Sequence, residues 1–143
     1  MNFILRDFIL EEDLAPFHKV HSDENSMQFY GMEPATNIIE SRDLMQTYFM
    51  AIKQGNMIHQ VIADATTHEY VGEIGLFNIN KQHHRANSYC ILLPEYRKKG
   101  ISKYISTQFY NLVFSTTCIN RIQAHVDSRK LNAKQSLIGI GYN

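Results

Sequence analysis

Pro94-Glu95-Tyr96-Arg97-Lys98-Lys99-Gly100-Ile101-Ser102 is the stretch that decides how this chain is read. It is polar, carries three consecutive cations and a glycine, and separates two segments of different periodicity. Before it, Ala86 to Leu93 is short and apolar, as a strand would be. After it, Ile101, Ile105, Phe109, Leu112 and Val113 fall at helical spacing. A strand, a glycine-bearing loop and a helix start, in that order, make an anion site. The first turn of a helix offers unpaired N–H groups and roughly half a positive charge. Gly100 lets a ligand approach the backbone closely, and Arg97, Lys98, Lys99 and Lys103 add full charges. The combination predicts a pyrophosphate cradle, where the same cations on a featureless loop would predict only a solvated surface.

Working outward, Met57 to Ala63 and Val71 to Ile79 read as strands joined by the turn Asp64-Ala65-Thr66-Thr67-His68-Glu69. The polar link Asn80 to Arg85 leads into the strand already described, and such short links predict antiparallel neighbours. Upstream, Asn37 can cap a helix with Glu40 three residues on. Ile38, Met45, Phe49 and Ile52 form its stripe, and Gly55 stops it. Asn2 to Arg6 reads as a first strand, and Glu11-Glu12-Asp13 opens a helix running to about Val20. Ser22 to Thr36, with Gly31 and Pro34, reads as loop or broken helix. Downstream, Arg121 to Val126 alternates as a half-buried strand, and a last helix spans roughly Leu131 to Ile138. The order β-α-α-β-β-β-α-β-α predicts an α/β (α+β) fold, a mixed and mostly antiparallel sheet with helices on both faces.

Composition narrows the function classes. The 143 residues suit one domain, and 44% hydrophobic content with eight Phe and eight Tyr can fill a core. Fourteen basic and fourteen acidic side chains balance, so any anion site is local, and nucleic-acid binding through Arg97-Lys98-Lys99 alone is a weak reading. No apolar run has the length of a membrane span, and MNFILRDFILEED carries acids where a signal peptide stays apolar. The expectation is a cytoplasmic protein. Cys90 and Cys118 sit in apolar runs without metal-ligand spacing and read as buried reduced thiols. The only adjacent histidines, His83-His84, do not make a metal site, so no metal is expected.

The loop carries a resemblance. Arg97 and Gly100 match the Arg/Gln-x-x-Gly-x-Gly/Ala pattern of the acyl-CoA loop in the GNAT N-acetyltransferase family, with Ser102 where Gly or Ala is usual. Asn120-Arg121-Ile122-Gln123-Ala124-His125-Val126 is similar to that family's fifth strand. Gly141-Tyr142 resembles its Gly-Phe after the last helix, and Leu5-Arg6 followed by Glu12-Asp13 resembles its opening. The resemblance covers the whole chain and is closest to the branch that acetylates ribosomal-protein N-termini. It implies a sheet split between the fourth and fifth strands, with the pantetheine of acetyl-CoA paired to backbone groups of Ile91, Leu92 and Leu93. The phosphates would lie on Arg97, Lys98, Lys99, Gly100, Ile101, Ser102 and Lys103. It implies direct attack by an amine, either a small amine or a protein N-terminal α-amine. The family usually continues with two more strands, whereas residues 1–143 read as one domain that lacks them. The edge left on Arg121 to Val126 predicts self-association, as in a homodimer.

The resemblance also says where acid–base groups would stand. The fourth-strand carboxylate common in this branch is replaced by Asn87. In the last helix, the places counted back from Gly141-Tyr142 hold Lys130, Ala133 and Leu137, with Asn132 and Ser136 as the nearby polar alternatives. Glu73 on the third strand is the best remaining base, acting directly or through water, or else a solvent-facing or paired strand carboxylate. His83 and His84 read as exposed turn residues. Phe29 and Tyr30 line the acceptor side or anchor the core. Two function classes follow: an active acetyl-CoA-dependent N-acetyltransferase, or a catalytically weak acyl-CoA-binding module that keeps the phosphate loop. The enzyme is preferred, since losing a general acid or base costs ~10²–10⁴-fold without abolishing turnover.

Overall fold

Three consecutive strands covered on both faces set the frame of the molecule, the middle one buried without interruption from Tyr70 to Leu76. The computed structural model describes residues 2–29, 32–119 and 121–124. Its elements are β1 (Phe3–Arg6), α1 (Leu10–His21), α2 (Glu24–Phe29), α3 (Ile38–Lys53), β2 (Ile58–Asp64), β3 (Tyr70–Asn80), β4 (Arg85–Leu92), a 3-10 turn (Pro94–Tyr96), α4 (Ile101–Thr116) and β5 (Arg121–Ala124). They form a five-stranded sheet of order β1-β2-β3-β4-β5. The first three pairings are antiparallel and the last, β4 with β5, is parallel.

The turns are built by short polar side chains. Between β2 and β3, Asp64 Oδ1 accepts the N–H groups of Thr66 (2.8 Å) and Thr67 (2.9 Å). Between β3 and β4, Asn80 Oδ1 accepts the His83 N–H at 3.0 Å, and His84 closes the turn at φ 54°. The predicted cap of α3 is present: Asn37 Oδ1 accepts the Glu40 N–H at 3.0 Å. Glu40 reaches back to the Thr36 N–H (3.1 Å) and hydroxyl (2.6 Å). Near the far end of α3, Gly55 takes φ 78° after the C-cap Gln54.

Two cores flank the sheet. Phe8, Phe17, Val20 and Met45 pack with Val61, Ala63, Tyr89 and Ile91 under α1 and α3. Ile101, Ile105, Phe109 and Val113 of α4 pack with Ile62, Ile74, Leu76, Leu92 and Ile122 on the other face. The predicted mixed sheet with helices on both faces is therefore observed. Ser22 to Thr36, read as loop or broken helix, contains the short α2, seeded by Asp23 Oδ2, which accepts the Ser26 N–H at 3.1 Å. One detail differs from the sequence reading. The cysteines form no disulfide, but Cys118 is exposed and Cys90 only half-buried. The helix expected at Leu131 to Ile138 and the Gly141-Tyr142 pair lie outside the described residues.

The pairing of β4 with β5 covers Arg85 to Ser88 against Arg121 to Ala124. Beyond Ser88, β4 continues through Tyr89, Cys90, Ile91 and Leu92 with β3 on one side and no described strand on the other.

Candidate active site

Where β4 ends, the ladder passes directly into the loop. Leu93 N–H donates to the Val71 carbonyl (2.9 Å), and Tyr96 N–H donates to the Leu93 carbonyl (2.9 Å). Lys98 at φ 61° and Gly100 at φ 77° then turn the chain through the left-handed region. Gly100 is the N-cap of α4 and no side chain caps that terminus. The first-turn amides, which have no partner within a helix, are thus presented beside β4. Lys98, Lys99 and Lys103 are exposed around them, and the Lys99 ammonium lies 5.8 Å from the centre of the Tyr96 ring. Ile101 is buried in the α4 core, so only its backbone is available to a ligand. Ser102 Oγ donates to Cys90 Sγ at 3.4 Å, which gives the unusual serine a partner on the strand below. Burial pushes the Cys90 thiol up to about 11, so it is not a nucleophile near neutral pH.

The side of β4 that no described strand pairs beyond Ser88 is more specific than expected. In an antiparallel pair, residues alternate between bonding the neighbour and facing away. Leu93 opposite Val71 is bonded, so Ile91 opposite Glu73 is too, and Leu92 between them turns its carbonyl outward. Arg97 Nε donates to that carbonyl at 3.3 Å. Of the three residues expected to pair with pantetheine, Leu92 faces the open edge, while Ile91 and Leu93 are turned to β3. Arg97 is also not a free cation. Its Nη2 donates to Asp23 Oδ2 at 3.1 Å and to Ser26 Oγ, both at the start of α2.

On the opposite face of β4, Glu73 is fully buried and encircled. His21 Nε2 lies 2.7 Å from one carboxylate oxygen; His59 Nε2 (3.2 Å) and the Tyr70 hydroxyl (3.0 Å) meet the other. Burial alone would push this carboxyl up, but the attraction and hydrogen bonds of His21 and His59 outweigh it. Glu73 is held well below the usual carboxylate range. Both of its oxygens are engaged within this cluster, one by His21 and the other by His59 and Tyr70. Each imidazole nitrogen facing Glu73 carries hydrogen, leaving Nδ1 of His21 and of His59 without a partner among the described residues. Sequence reasoning missed His21, His59 and Tyr70; the signal available was His59 in register with Val61 and Ala63 on the inward side of β2.

Asn87 is half-buried on β4, opposite Phe77 and Gln123, one pleat from Tyr89. Tyr89 places its hydroxyl over Gly75, buried and without a protein partner, and its ring centre is 6.1 Å from that of His59. His83 and His84 are exposed. Phe29 ends α2. Tyr30, Lys130, Asn132, Ala133, Ser136 and Leu137 lie outside the described residues. Among the described residues no group of three or more His, Cys, Asp or Glu is arranged to hold a metal ion, and no helix is long and apolar enough to cross a membrane. A cavity of about 570 Å³ between Ile52, Met57, Ile79 and Ile119 lies at the other end of the strands, away from the loop.

The acetyltransferase (GNAT) domain model matches residues 2–142. An uncharacterised N-acetyltransferase of Bacillus subtilis, YoaA, is 24% identical over 139 residues, which is 97% of this chain and 78% of that protein. The spermidine N(1)-acetyltransferase of Vibrio cholerae is 22% identical over 114 residues, 80% of this chain and 64% of that protein. The crystal structure of the Vibrio cholerae spermidine N-acetyltransferase with CoA and spermine superposes with a TM-score of 0.85 at 23% identity, covering 98% of this chain and 80% of that one. Neither sequence relative is named for ribosomal-protein N-termini.

Proposed function

The chain belongs to the GNAT acetyltransferase family, an N-acetyltransferase by kinship, and from that premise we propose how its own residues serve the reaction. Acetyl-CoA is the acyl donor, its phosphates received by the backbone of Gly100, Ile101, Ser102 and Lys103 with Lys98 and Lys99 beside them. Its pantetheine adds to the open edge of β4 at Leu92, and residues 1–143 work as one catalytic unit. The observation that carries this reading is the uncapped α4 terminus at a left-handed Gly100, adjoining a strand edge with an outward carbonyl.

In the transfer itself, a neutral amine attacks the thioester carbonyl carbon. The C–N bond forms, the C–S bond breaks, the surplus proton leaves nitrogen, and CoA departs as a thiolate that is then protonated. Without a carboxylate at Asn87, and with Glu73 committed to His21 and His59, catalysis leans on alignment. Such a site favours amines that are already partly neutral. An α-amine of pKa ~8 is easier to deprotonate than a lysine of ~10.4 by roughly 3–4 kcal/mol. The acceptor is therefore a small amine or a peptide α-amine, of which ribosomal-protein N-termini are one instance. A polyamine, as named for the Vibrio relative, is the other class to be tried. In a panel at neutral pH, small amines and peptide α-amines are expected to react faster than lysine side chains; lysine reacting fastest would sink this choice of acceptor.

The cofactor site is tested by calorimetric titration with acetyl-CoA. The wild type binds, and Gly100→Trp loses at least ~100-fold, since a side chain there is strained at φ 77° and fills the ligand's approach. Equal binding by both proteins would place the donor elsewhere.

A further inference from the structure

One guanidinium serves three acceptors at the mouth of this site, and their arrangement is unequal. Asp23 is a firm anchor: besides Arg97, its Oδ2 accepts the Ser26 N–H at 3.1 Å and the Ser26 hydroxyl at 2.7 Å. Burial would raise the Asp23 carboxyl, but its bonds to Ser26 and Arg97 prevail and hold it below the usual range. Ser26 is itself buried at the start of α2. The third contact, Nε to the Leu92 carbonyl, is the longest at 3.3 Å. It is also the contact on the strand edge where an extended amide-bearing ligand must donate. The Arg97 side chain is 34% exposed, with exposed Lys98 and Lys99 next in sequence.

We propose that Arg97 guards the Leu92 carbonyl and thereby makes the site selective for phosphate-bearing thioesters over uncharged ones. The inference rests on the acetyl-CoA reading above. An amide-bearing ligand that docks on β4 must take the place of Nε at Leu92. When the ligand brings phosphate to the loop, the displaced guanidinium gains an anionic partner and the exchange is balanced. When the ligand is an uncharged thioester, the charge-assisted bond is lost with nothing in return. Arg97 thus discriminates by withholding an edge position as well as by attracting charge, which is specificity through an added penalty on the wrong ligand. The guard also covers one polar group on a strand edge that no described strand pairs at Leu92. Arg97 is a positioning residue here: it acts on which donor is admitted and takes no part in bond making.

The test compares acetyl-CoA with S-acetylpantetheine, the same thioester arm without phosphates, by calorimetry and as substrates. For Arg97→Ala, S-acetylpantetheine binds roughly tenfold tighter than to the wild type, the size expected for releasing a charge-assisted hydrogen bond, while acetyl-CoA stays level or weakens. The preference for acetyl-CoA shrinks accordingly, and the change appears in KM for the donor with kcat nearly unmoved. Arg97→Lys, which keeps the charge toward Asp23 but lacks the planar fork, shows the same gain for S-acetylpantetheine and secures the result should the alanine variant fold poorly. Asp23→Asn frees the guanidinium to follow phosphate and tightens acetyl-CoA about threefold. If both Arg97 variants weaken the two donors in proportion, or leave their ratio unchanged, the guard does not exist. A wild type that binds acetyl-CoA yet shows no such shift overturns this inference alone; a wild type that binds neither donor overturns the proposed function with it.

Discussion

Glu73→Ala is expected to lower the stability of the protein by about 3–5 kcal/mol, or ~10–20 °C in Tm. The carboxylate is fully buried, and it is the common acceptor for His21, His59 and the Tyr70 hydroxyl. Taking it away leaves three buried donors without their common acceptor, which costs far more than the pair contributes when intact. Glu73→Gln keeps the volume and one acceptor oxygen, and should lose about half as much. The same network predicts a pH signature. Because the folded carboxyl is held below its ordinary range, its contribution is present at neutral pH, above the unfolded pKa of about 4.3, and is lost as pH falls through that value toward the folded one. Urea denaturation across this acid range should show a steep decline for the wild type and a flatter one for Glu73→Ala. Parallel declines would mean that Glu73 is not held as an anion.

Gly72→Ala is expected to be nearly as damaging, by about 3 kcal/mol, although it adds a single methyl group. A Cβ at position 72 would lie 2.4 Å from the Ile91 carbonyl oxygen and 2.9 Å from the Leu92 Cα, both backbone atoms of the paired strand. Backbone cannot swing aside as a side-chain tip can, so β3 and β4 must part locally. That displacement falls on Leu92, the edge residue, so donor affinity should fall together with Tm. A variant that keeps its Tm, measured by calorimetry, would show that the two strands have slack.

Much of this fold was legible from local chemistry. Asn37 with Glu40 marks the start of α3, Gly55 marks its end, and the change of periodicity at Gly100 marks α4, because each depends on neighbours in sequence. The segment that holds α2 reads as loop or broken helix; the six-residue helix is too short for periodicity to place, and it is seeded by a contact from Asp23 to Ser26 rather than by an apolar stripe. The site was legible only in its backbone part. Gly100 announced the turn into α4, but the engagements of Arg97 with Asp23 and of His21 with Glu73 span 74 and 52 residues of sequence. No local pattern encodes such pairings. Glu73 was singled out as a polar residue in a strand, yet whether it is a base or an anchor depends on the imidazoles that the fold brings to it.

The stretch of β4 around Leu92, which no described strand pairs on its outer side, has a consequence for the life of the protein in a cell. A ligand that completes a sheet is also a stabiliser, since it binds the folded chain and not the unfolded one. At a hundred times its Kd, such a ligand adds about 2.7 kcal/mol, a sizeable share of what holds a domain of this size together. With acetyl-CoA in that role, the supply of the metabolite would set the enzyme's turnover by proteases as well as its rate. Scarcity of the donor would then thin out the catalyst itself, and a fall in central carbon flux would be registered as a slow loss of protein.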